Sequence, residues 1–194
     1  MLVTESRIGC VILAAGASNR LGVEKALVDV GSGTLVEWIV RRLCNHGISP
    51  LVVTKSKIER EVSQAVSDFE VIVNPNPSTG RTGTLQVGIS NLDLSIGGGY
   101  RLLVVPIDRP GFSDSTLLRL IGSDNTCCPM RDDRGGHPLI LAVEDVERVR
   151  RAAPDDSLRS LVDPVRFEVD DPQLHLNIDL PGDLENLSER LASI

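Results

Sequence analysis

This chain of 194 residues has few aromatic side chains and no excess of positive charge. Only 3% of the residues are Phe, Trp or Tyr, so we expect a core built from Val, Leu, Ile and Ala. The net charge of −7 argues against a general nucleic-acid binder, because such proteins present a broad basic surface. In a chain with this negative charge, basic side chains that lie beside a candidate site are therefore of interest as local binding groups.

The chain also lacks metal-binding cysteine motifs and long hydrophobic runs. Its four cysteines form no C-x-x-C pair and have no His at zinc-finger spacing, which argues against a structural zinc site. No apolar run approaches the roughly 20 residues of a membrane-spanning helix, so we expect no membrane association. Residues 1–9 lack the basic start and apolar stretch of a signal peptide. These absences predict a soluble, reduced, cytoplasmic protein.

Short apolar runs alternate with helical patterns along the whole chain. The runs are near-continuously apolar, which is typical of strands buried on both faces of a parallel sheet, and they cover 8–14, 51–54, 71–74, 101–106 and 137–141. Capping-box patterns at 34–37 and 56–59 predict two helix starts. Apolar spacing predicts further helices over 84–92, from Ser113 or Asp114 to 121, over 144–152 and over 181–191.

This alternation predicts an α/β fold with a mainly parallel sheet between two helical layers, in a single domain spanning 1–194. Open α/β sheets bind ligands at the carboxyl ends of their strands. The segments after residues 14, 74 and 106, and the region near His137, are therefore the candidate sites.

The first candidate is the segment AGASNRLGVEK, which follows the first predicted strand. It fits neither the P-loop nor the G-x-G-x-x-G pattern. Small residues at 15–17 allow a ligand to approach the backbone and to meet several N–H groups, and Arg20 and Lys25 then supply mobile positive charge that suits a triphosphate. A tight turn followed by two solvated cations explains the residues equally well.

Carboxylates supply the second candidate. Asp108 ends a very apolar strand, a good position for a Mg²⁺ ligand or equally for a turn-forming aspartate. Its neighbour Arg109 either pairs with it or faces solvent. Asp179 is by default an N-cap residue before Pro181; the alternative is a second metal ligand facing Asp108, a role that Asn177 can also fill.

Two further segments carry weaker signals. In NPNPSTGRTGTLQVGI, Gly80 and Gly83 free the backbone and Thr84 opens a helix whose N-terminus attracts anions, although the residues slightly favour a simple capped loop. His137 enters a predicted strand from a glycine turn, and a single histidine in that setting is more often structural than catalytic.

Taken together, these stretches resemble the MobA-like nucleotidyltransferases, and more closely the MocA-type molybdenum-cofactor cytidylyltransferases. The opening L-A-A/G-G-x-S-x-R-M-G-x-x-K of that group matches residues 13–25, with Leu21 in place of Met. Later landmarks match in the same order: N-P…G…S-L at 74–85 with Thr84 for Ser, G-D-M-P at 107–110 with only the Asp and the Pro kept, G-H-P at 136–138 and D-I-D-T-P-E-D-L at 177–184.

The resemblance implies a Rossmann-like three-layer nucleotidyltransferase fold and an activity. A nucleoside monophosphate passes from a nucleoside triphosphate to a phosphorylated acceptor, with release of pyrophosphate and with Mg²⁺ as cofactor. The implied roles are nucleotide binding by Leu13, Ala14, Ala15, Gly16, Asn74, Gly80 and Thr84; catalysis by Arg20, Lys25 and Asp108; metal binding by Asp108 with Asp179 or Asn177; and acceptor binding by Arg109 and His137.

The same resemblance points to the base. Cytidylyl enzymes of the family tend to show A-A-G and guanylyl enzymes A-G-G after the Leu, so Ala14-Ala15-Gly16 favours CTP, with a molybdopterin-type precursor as acceptor. The alternatives are a GTP-using guanylyltransferase, a sugar- or polyol-phosphate nucleotidyltransferase, and a catalytically silent nucleotide-binding protein. Retention of Arg20, Lys25 and Asp108 together argues against the silent protein.

Overall fold

The computed structural model describes residues 7–194, so most of the segment behind the signal-peptide prediction lies outside the described residues. The strands are β1 (Ile8–Leu13), β2 (Leu51–Thr54), β3 (Val71–Val73), β4 (Arg101–Pro106), β5 (Cys127–Arg131), β6 (Arg134–Gly135), β7 (Leu139–Leu141) and β8 (Val165–Glu168). The helices are α1 (Leu35–Asn45), α2 (Glu59–Ala65), α3 (Gly80–Ile96), α4 (Asp114–Ile121), α5 (Val143–Arg151), α6 (Leu158–Leu161) and α7 (Leu187–Ala192).

One sheet joins the eight strands of the described region in the order β3-β2-β1-β4-β7-β5-β6, with β8 paired to β5. The strands β3, β2, β1 and β4 are mutually parallel. In contrast, β7 runs antiparallel to both β4 and β5, so it begins at the edge of the sheet where β4 ends. That reversal places the His137 segment beside the carboxyl ends of the parallel strands.

Helices cover both faces of the sheet, as the alternation predicts. Successive residues of each central strand point to opposite faces, so Ile12 belongs to the core that includes residues of α1, α2, α4 and α7, while Val11 belongs to the core that includes residues of α3 and α5. The cores on both faces consist mainly of aliphatic side chains. The three-layer α/β prediction is confirmed. No helix among residues 7–194 is long and apolar enough to cross a membrane.

Four of the predicted strands end within one residue of their observed positions, and the fifth begins at Leu139 instead of residue 137. The sequence pattern did not predict β5, β6 and β8. Pro129 lies inside β5, and a proline normally argues against an interior strand because it cannot donate a ladder hydrogen bond. β8 is largely exposed along its length, so it shows no buried apolar run.

Of the six predicted helices, three are confirmed as α1, α4 and α5, the one over 84–92 lies within the longer α3, and the other two differ from the structure. Thr34 and Glu37 form the reciprocal capping box of α1, and the hydroxyl of Ser113 accepts from the Thr116 N–H to cap α4. The capping box at 56–59 does not form, because a 3-10 turn over Ser56–Ile58 precedes α2 and leaves it without a side-chain cap. The final helix is not continuous: a 3-10 turn over Pro181–Leu184 is separated from α7 by Asn186, whose φ is 54°.

The C-terminal segment docks against the loop that follows β4. The Ile178 N–H donates to the Asp108 carbonyl at 3.0 Å, and the buried Asp171 carboxylate accepts from the Ser113 N–H at 2.9 Å. The approach is closest at Gly111, where an added Cβ would lie 1.7 Å from the Gln173 carbonyl oxygen. Only glycine fits this position, and the contact sets the path of the chain toward residue 179.

We therefore expect Gly111→Ala to lower the free energy of unfolding by about 1–3 kcal/mol, the usual cost of overpacking a closely packed contact. The added methyl group forces the two backbones apart, and no flexible side chain is available to yield. Urea denaturation measures the change.

The matched control is Gly98→Ala, at an exposed glycine where an added Cβ would meet no atom within 4 Å. This variant should keep the stability of the parent protein. Equal stability of the two variants would show that the segment does not approach Gly111 closely.

Candidate functional site

The side chains predicted to act together meet at the carboxyl edge of the parallel strands. β1 and β4 are neighbours in the sheet, so the segments that follow Leu13 and Pro106 emerge side by side. The docked C-terminal segment adds Asp179 to the same edge, because Ile178 is hydrogen-bonded to the backbone of Asp108. Three distant parts of the chain thus form one cluster.

Lys25 lies at the centre of this cluster. Its Nζ is 3.0 Å from Oδ1 of Asp179 and 3.4 Å from Oδ2 of Asp108, and its side chain is only 11% exposed. The sequence predicted a mobile cation here; the structure instead holds the ammonium group between two carboxylates. Each carboxylate is itself largely shielded from solvent, which strengthens the ion pairs relative to exposed ones.

Two arginines flank the cluster from opposite carboxylates. Arg20 pairs with Oδ2 of Asp179 at 2.5 Å while its side chain stays 73% exposed. Arg81 lies 3.9 Å from Oδ2 of Asp108. Sequence reasoning missed Arg81, although its position directly after Gly80 at the start of α3 was a signal for an anion-facing cation.

The cluster shifts the protonation of Asp179. The hydrogen bond from Lys25, reinforced by the charges of Lys25 and Arg20, holds the pKa of Asp179 below its ordinary value. Asp179 does not cap a helix, so its default interpretation is wrong. The Asp183 carboxylate instead accepts hydrogen bonds at the start of the Pro181–Leu184 turn, from the N–H groups of Asp179 and Leu180 at 2.8 and 2.7 Å.

The loop from residue 14 to residue 25 is anchored at both ends and open in the middle. Leu13, Ala14 and Ala15 are buried, and the Ala14 N–H donates to the Val53 carbonyl at 2.8 Å. At Gly16 an added Cβ would meet nothing within 4 Å, so the backbone there is accessible to a ligand. The Ser18 hydroxyl accepts from the Lys25 N–H at 3.3 Å and ties the far end of the loop.

A second charged group, which sequence reasoning also missed, supports this loop. Lys55 donates from Nζ to the Gly16 carbonyl at 2.9 Å and pairs with Glu24 at 2.7 Å. Lys57 pairs with the same Glu24 carboxylate at 3.0 Å. Although partial burial disfavours its charged form, the two lysines hold the pKa of Glu24 below its ordinary value.

Asn74 and Thr84 lie under the site and not on its surface. Both are buried, and Nδ2 of Asn74 donates to the Thr84 hydroxyl at 2.9 Å, which in turn donates to the Gly80 carbonyl at 2.9 Å. Thr84 does not open a helix, because α3 already begins at Gly80. Gly80 itself is exposed and has a φ of 89°, a conformation that favours glycine.

Arg109 and His137 lie on the Asp108 side of the cluster. Nε of Arg109 and Nδ1 of His137 are both buried without a hydrogen-bond partner in the structure. Burial, aided by the positive charges of Arg81 and Arg109, lowers the pKa of His137 to about 4, so the imidazole is neutral near pH 7. Buried polar atoms without a partner are unusual in native proteins.

The metal prediction concerns the oxygen atoms around Lys25. Asp108 and Asp179 bring two carboxylates to one ammonium group, and carboxylate oxygens are the ligands that Mg²⁺ prefers. Asn177 instead lines a neighbouring cleft of about 400 Å³, together with Asp179, Asp183 and Arg190. Among residues 7–194 no group of three or more His, Cys, Asp or Glu forms a ready metal site.

The chain that carries this site is similar to a known protein family and to characterised relatives. The MobA-like NTP transferase domain family matches residues 10–171, well over half of the chain. A molybdenum cofactor cytidylyltransferase of Escherichia coli (strain K12) is 22% identical over 200 residues, covering 97% of this chain and 100% of that protein. A molybdenum cofactor guanylyltransferase of Xanthomonas euvesicatoria pv. vesicatoria (strain 85-10) is 27% identical over 157 residues, covering 78% of this chain and 76% of that protein.

A solved structure extends the likeness to the whole fold. A nucleotidyl transferase from Methanothermobacter thermautotroptrophicus superposes with a TM-score of 0.76 at 21% identity, covering 96% of this chain and 98% of that one. The nucleotidyltransferase architecture expected from the sequence is therefore present.

Removing the central ammonium group should change the titration of the cluster. In Lys25→Met we expect the pKa of Asp179 to rise, because the carboxylate loses its hydrogen bond from Lys25 and still faces Asp108. Carboxyl ¹³C NMR titration measures this pKa. Arg20→Gln is the matched comparison and should raise it less, since Arg20 is mostly exposed and its charge is screened.

The lowered pKa of Asp179 also makes the stability of the fold depend on pH. A carboxyl group with a lowered pKa in the folded state stabilises the fold above its ordinary pKa and loses that contribution as the pH falls through the lowered value. Lys25→Met should therefore lose stability at neutral pH, with the difference shrinking in acid. An unchanged pKa of Asp179 in Lys25→Met would contradict the ion-pair geometry.

Proposed function

Because this chain belongs to the MobA-like NTP transferase family, we propose that it is an active nucleotidyltransferase that transfers CMP from CTP to a phosphorylated acceptor, a molybdopterin-type cofactor precursor being favoured. The observation that carries the proposal is the position of Lys25. Its ammonium group lies between Asp108 and Asp179 at the end of an accessible backbone loop.

In the proposed reaction one bond forms and one bond breaks, both at the α-phosphorus of CTP. An oxygen of the acceptor phosphate attacks the α-phosphorus of CTP, the bond from that phosphorus to the bridging oxygen of the β-phosphate breaks, and pyrophosphate leaves. No general base is needed, because a phosphate monoester is already anionic near pH 7. The protein must instead position the reactants and neutralise developing charge.

The residues of the site divide this work. The accessible backbone at Gly16 holds the nucleotide, and Arg20 and Lys25 neutralise the triphosphate and the leaving pyrophosphate. Arg20 is well suited to reach over the phosphates because its side chain is 73% exposed although its tip pairs with Asp179. Lys25 acts from a fixed position, since two carboxylates orient it.

Asp108 and Asp179 are the proposed holders of Mg²⁺. They would hold the ion by their carboxylate oxygens, and the bound ion would supply positive charge to the phosphate oxygens of the reactants. The two aspartates bring the required carboxylate oxygens to one place, and Asn177 in the adjoining cleft is the substitute ligand. Lys25, placed between the two aspartates, would share with the ion the neutralisation of the phosphate charge.

The choice of CTP is supported by the residues after β1. Ala14-Ala15-Gly16 follows the pattern of cytidylyl enzymes, and the cytidylyltransferase relative aligns over 97% of this chain. The guanylyltransferase relative keeps GTP as the second candidate. A sugar- or polyol-phosphate acceptor is favoured by one observation: Arg109 replaces the methionine of the family motif and leaves a buried Nε free to bind an anionic acceptor.

We expect pyrophosphate release from CTP with Mg²⁺ and molybdopterin, faster than from GTP, ATP or UTP. Lys25→Ala and Asp108→Ala should each slow it by about 100-fold or more, because each removes charge from the reacting phosphates or their metal. Chelation of Mg²⁺ by EDTA should abolish it. A coupled pyrophosphate assay measures all of these rates.

Arg151→Ala is the matched control, since Arg151 is an 81% exposed cation on α5 that pairs with Glu147 of the same helix. It should react like the parent protein. Turnover that survives in both Lys25→Ala and Asp108→Ala would refute the site, and a clear preference for GTP would refute the assignment of the base. Turnover with sugar or polyol phosphates but not with molybdopterin would reassign the acceptor.

A further inference from the structure

We infer that Lys55 is a positioning residue for nucleotide binding, acting through the loop from residue 14 to residue 25; this inference rests on the proposed function. Lys55 follows β2 directly, and β2 is the neighbour of β1 in the sheet. It therefore stands beside the loop at the same edge as the cluster around Lys25. It belongs to none of the motifs that carry the family resemblance.

The contacts of Lys55 join the two ends of that loop. Its Nζ donates to the Gly16 carbonyl at 2.9 Å and lies 2.7 Å from Oε2 of Glu24. The Lys55 side chain is only 12% exposed, so these partners face little competition from water. Gly16 lies near the start of the loop, and Glu24 immediately precedes Lys25.

This bridge fixes the part of the loop that has little other support. Gly16 and Ala17 are exposed, and the apolar anchor of the loop, the buried Leu21, lies farther along the chain. A loop held in place before the ligand arrives does not have to be ordered on binding, which preserves affinity. Lys55 thus presents the Gly16 backbone to the nucleotide without needing to touch it.

Lys57 provides the comparison that separates positioning from charge balance. It pairs with the same Glu24 carboxylate at 3.0 Å, but its side chain is 77% exposed. The partner that sets Lys55 apart is the Gly16 carbonyl. Removal of Lys55 also leaves Glu24 paired with Lys57, so the change does not strand a buried carboxylate.

The test compares Lys55→Met with Lys57→Met by calorimetric titration with CTP and Mg²⁺. We expect Lys55→Met to weaken CTP binding roughly tenfold and Lys57→Met to leave it unchanged, with similar melting temperatures for both. In the pyrophosphate assay Lys55→Met should raise KM for CTP more than it lowers kcat, since the loop acts on nucleotide binding. Lys55→Arg, which keeps donors for both partners, should restore most of the affinity.

Each outcome has a separate meaning. If the parent protein does not bind CTP, the proposed function fails. If the parent binds CTP and Lys55→Met binds it equally well, or if Lys57→Met weakens binding as much, the positioning role alone is overturned. Should Lys55→Met not fold, Glu24→Gln decides, because it leaves both lysines in place: weaker CTP binding supports the bridge and unchanged binding overturns it.

Discussion

Lys25 joins two carboxylates that the chain brings together from segments far apart in sequence. Asp108 arrives at the end of β4, Asp179 arrives on the docked C-terminal segment, and the ammonium group lies 3.4 and 3.0 Å from them. Without that cation the two carboxylates would repel each other in a partly shielded setting. The ion pairs therefore hold these three side chains together, in the arrangement on which the proposed phosphate transfer depends.

The strand directions and the docked C-terminal segment together bring the residues of the site to one edge of the sheet. Parallel strands deliver the segments after β1 and β4 to one edge, and the reversed direction of β7 delivers His137 to that same edge. The close approach of Gly111 to Gln173 lets the C-terminal segment lie against the loop after β4. The charged side chains lie at the surface on this edge of the sheet, and the hydrogen-bonded pair of Asn74 and Thr84 is buried beneath them.

Much of this was predictable from local pattern. The apolar runs predicted the buried strands, and the pattern of Thr34 followed by Glu37 predicted the cap of α1. That Lys25 and Asp108 lie close together follows from the parallel strands β1 and β4, which bring their carboxyl ends to one edge of the sheet. The helix predicted over 84–92 lies within α3, but its predicted start at Thr84 was wrong, since α3 begins four residues earlier at Gly80, a glycine with positive φ.

The features that were missed depend on tertiary contacts that leave no local pattern. β5 contains a proline and β8 is exposed, so neither resembles a buried strand. Lys55 looks like any solvated lysine until β2 places it beside Gly16 and Glu24. Asp179 looked like a helix cap, and only the docking of its segment directs the carboxylate to Lys25.

The cluster around Lys25 is the proposed binding place of the nucleotide and its metal. A crystal structure with a non-hydrolysable CTP analogue and Mn²⁺ in place of Mg²⁺ tests it most directly, because Mn²⁺ is located by its anomalous scattering. We expect an anomalous peak at coordination distance from the carboxylates of Asp108 and Asp179, with the triphosphate along Arg20 and Lys25. A nucleotide bound elsewhere, or a metal without contact to either aspartate, would contradict it.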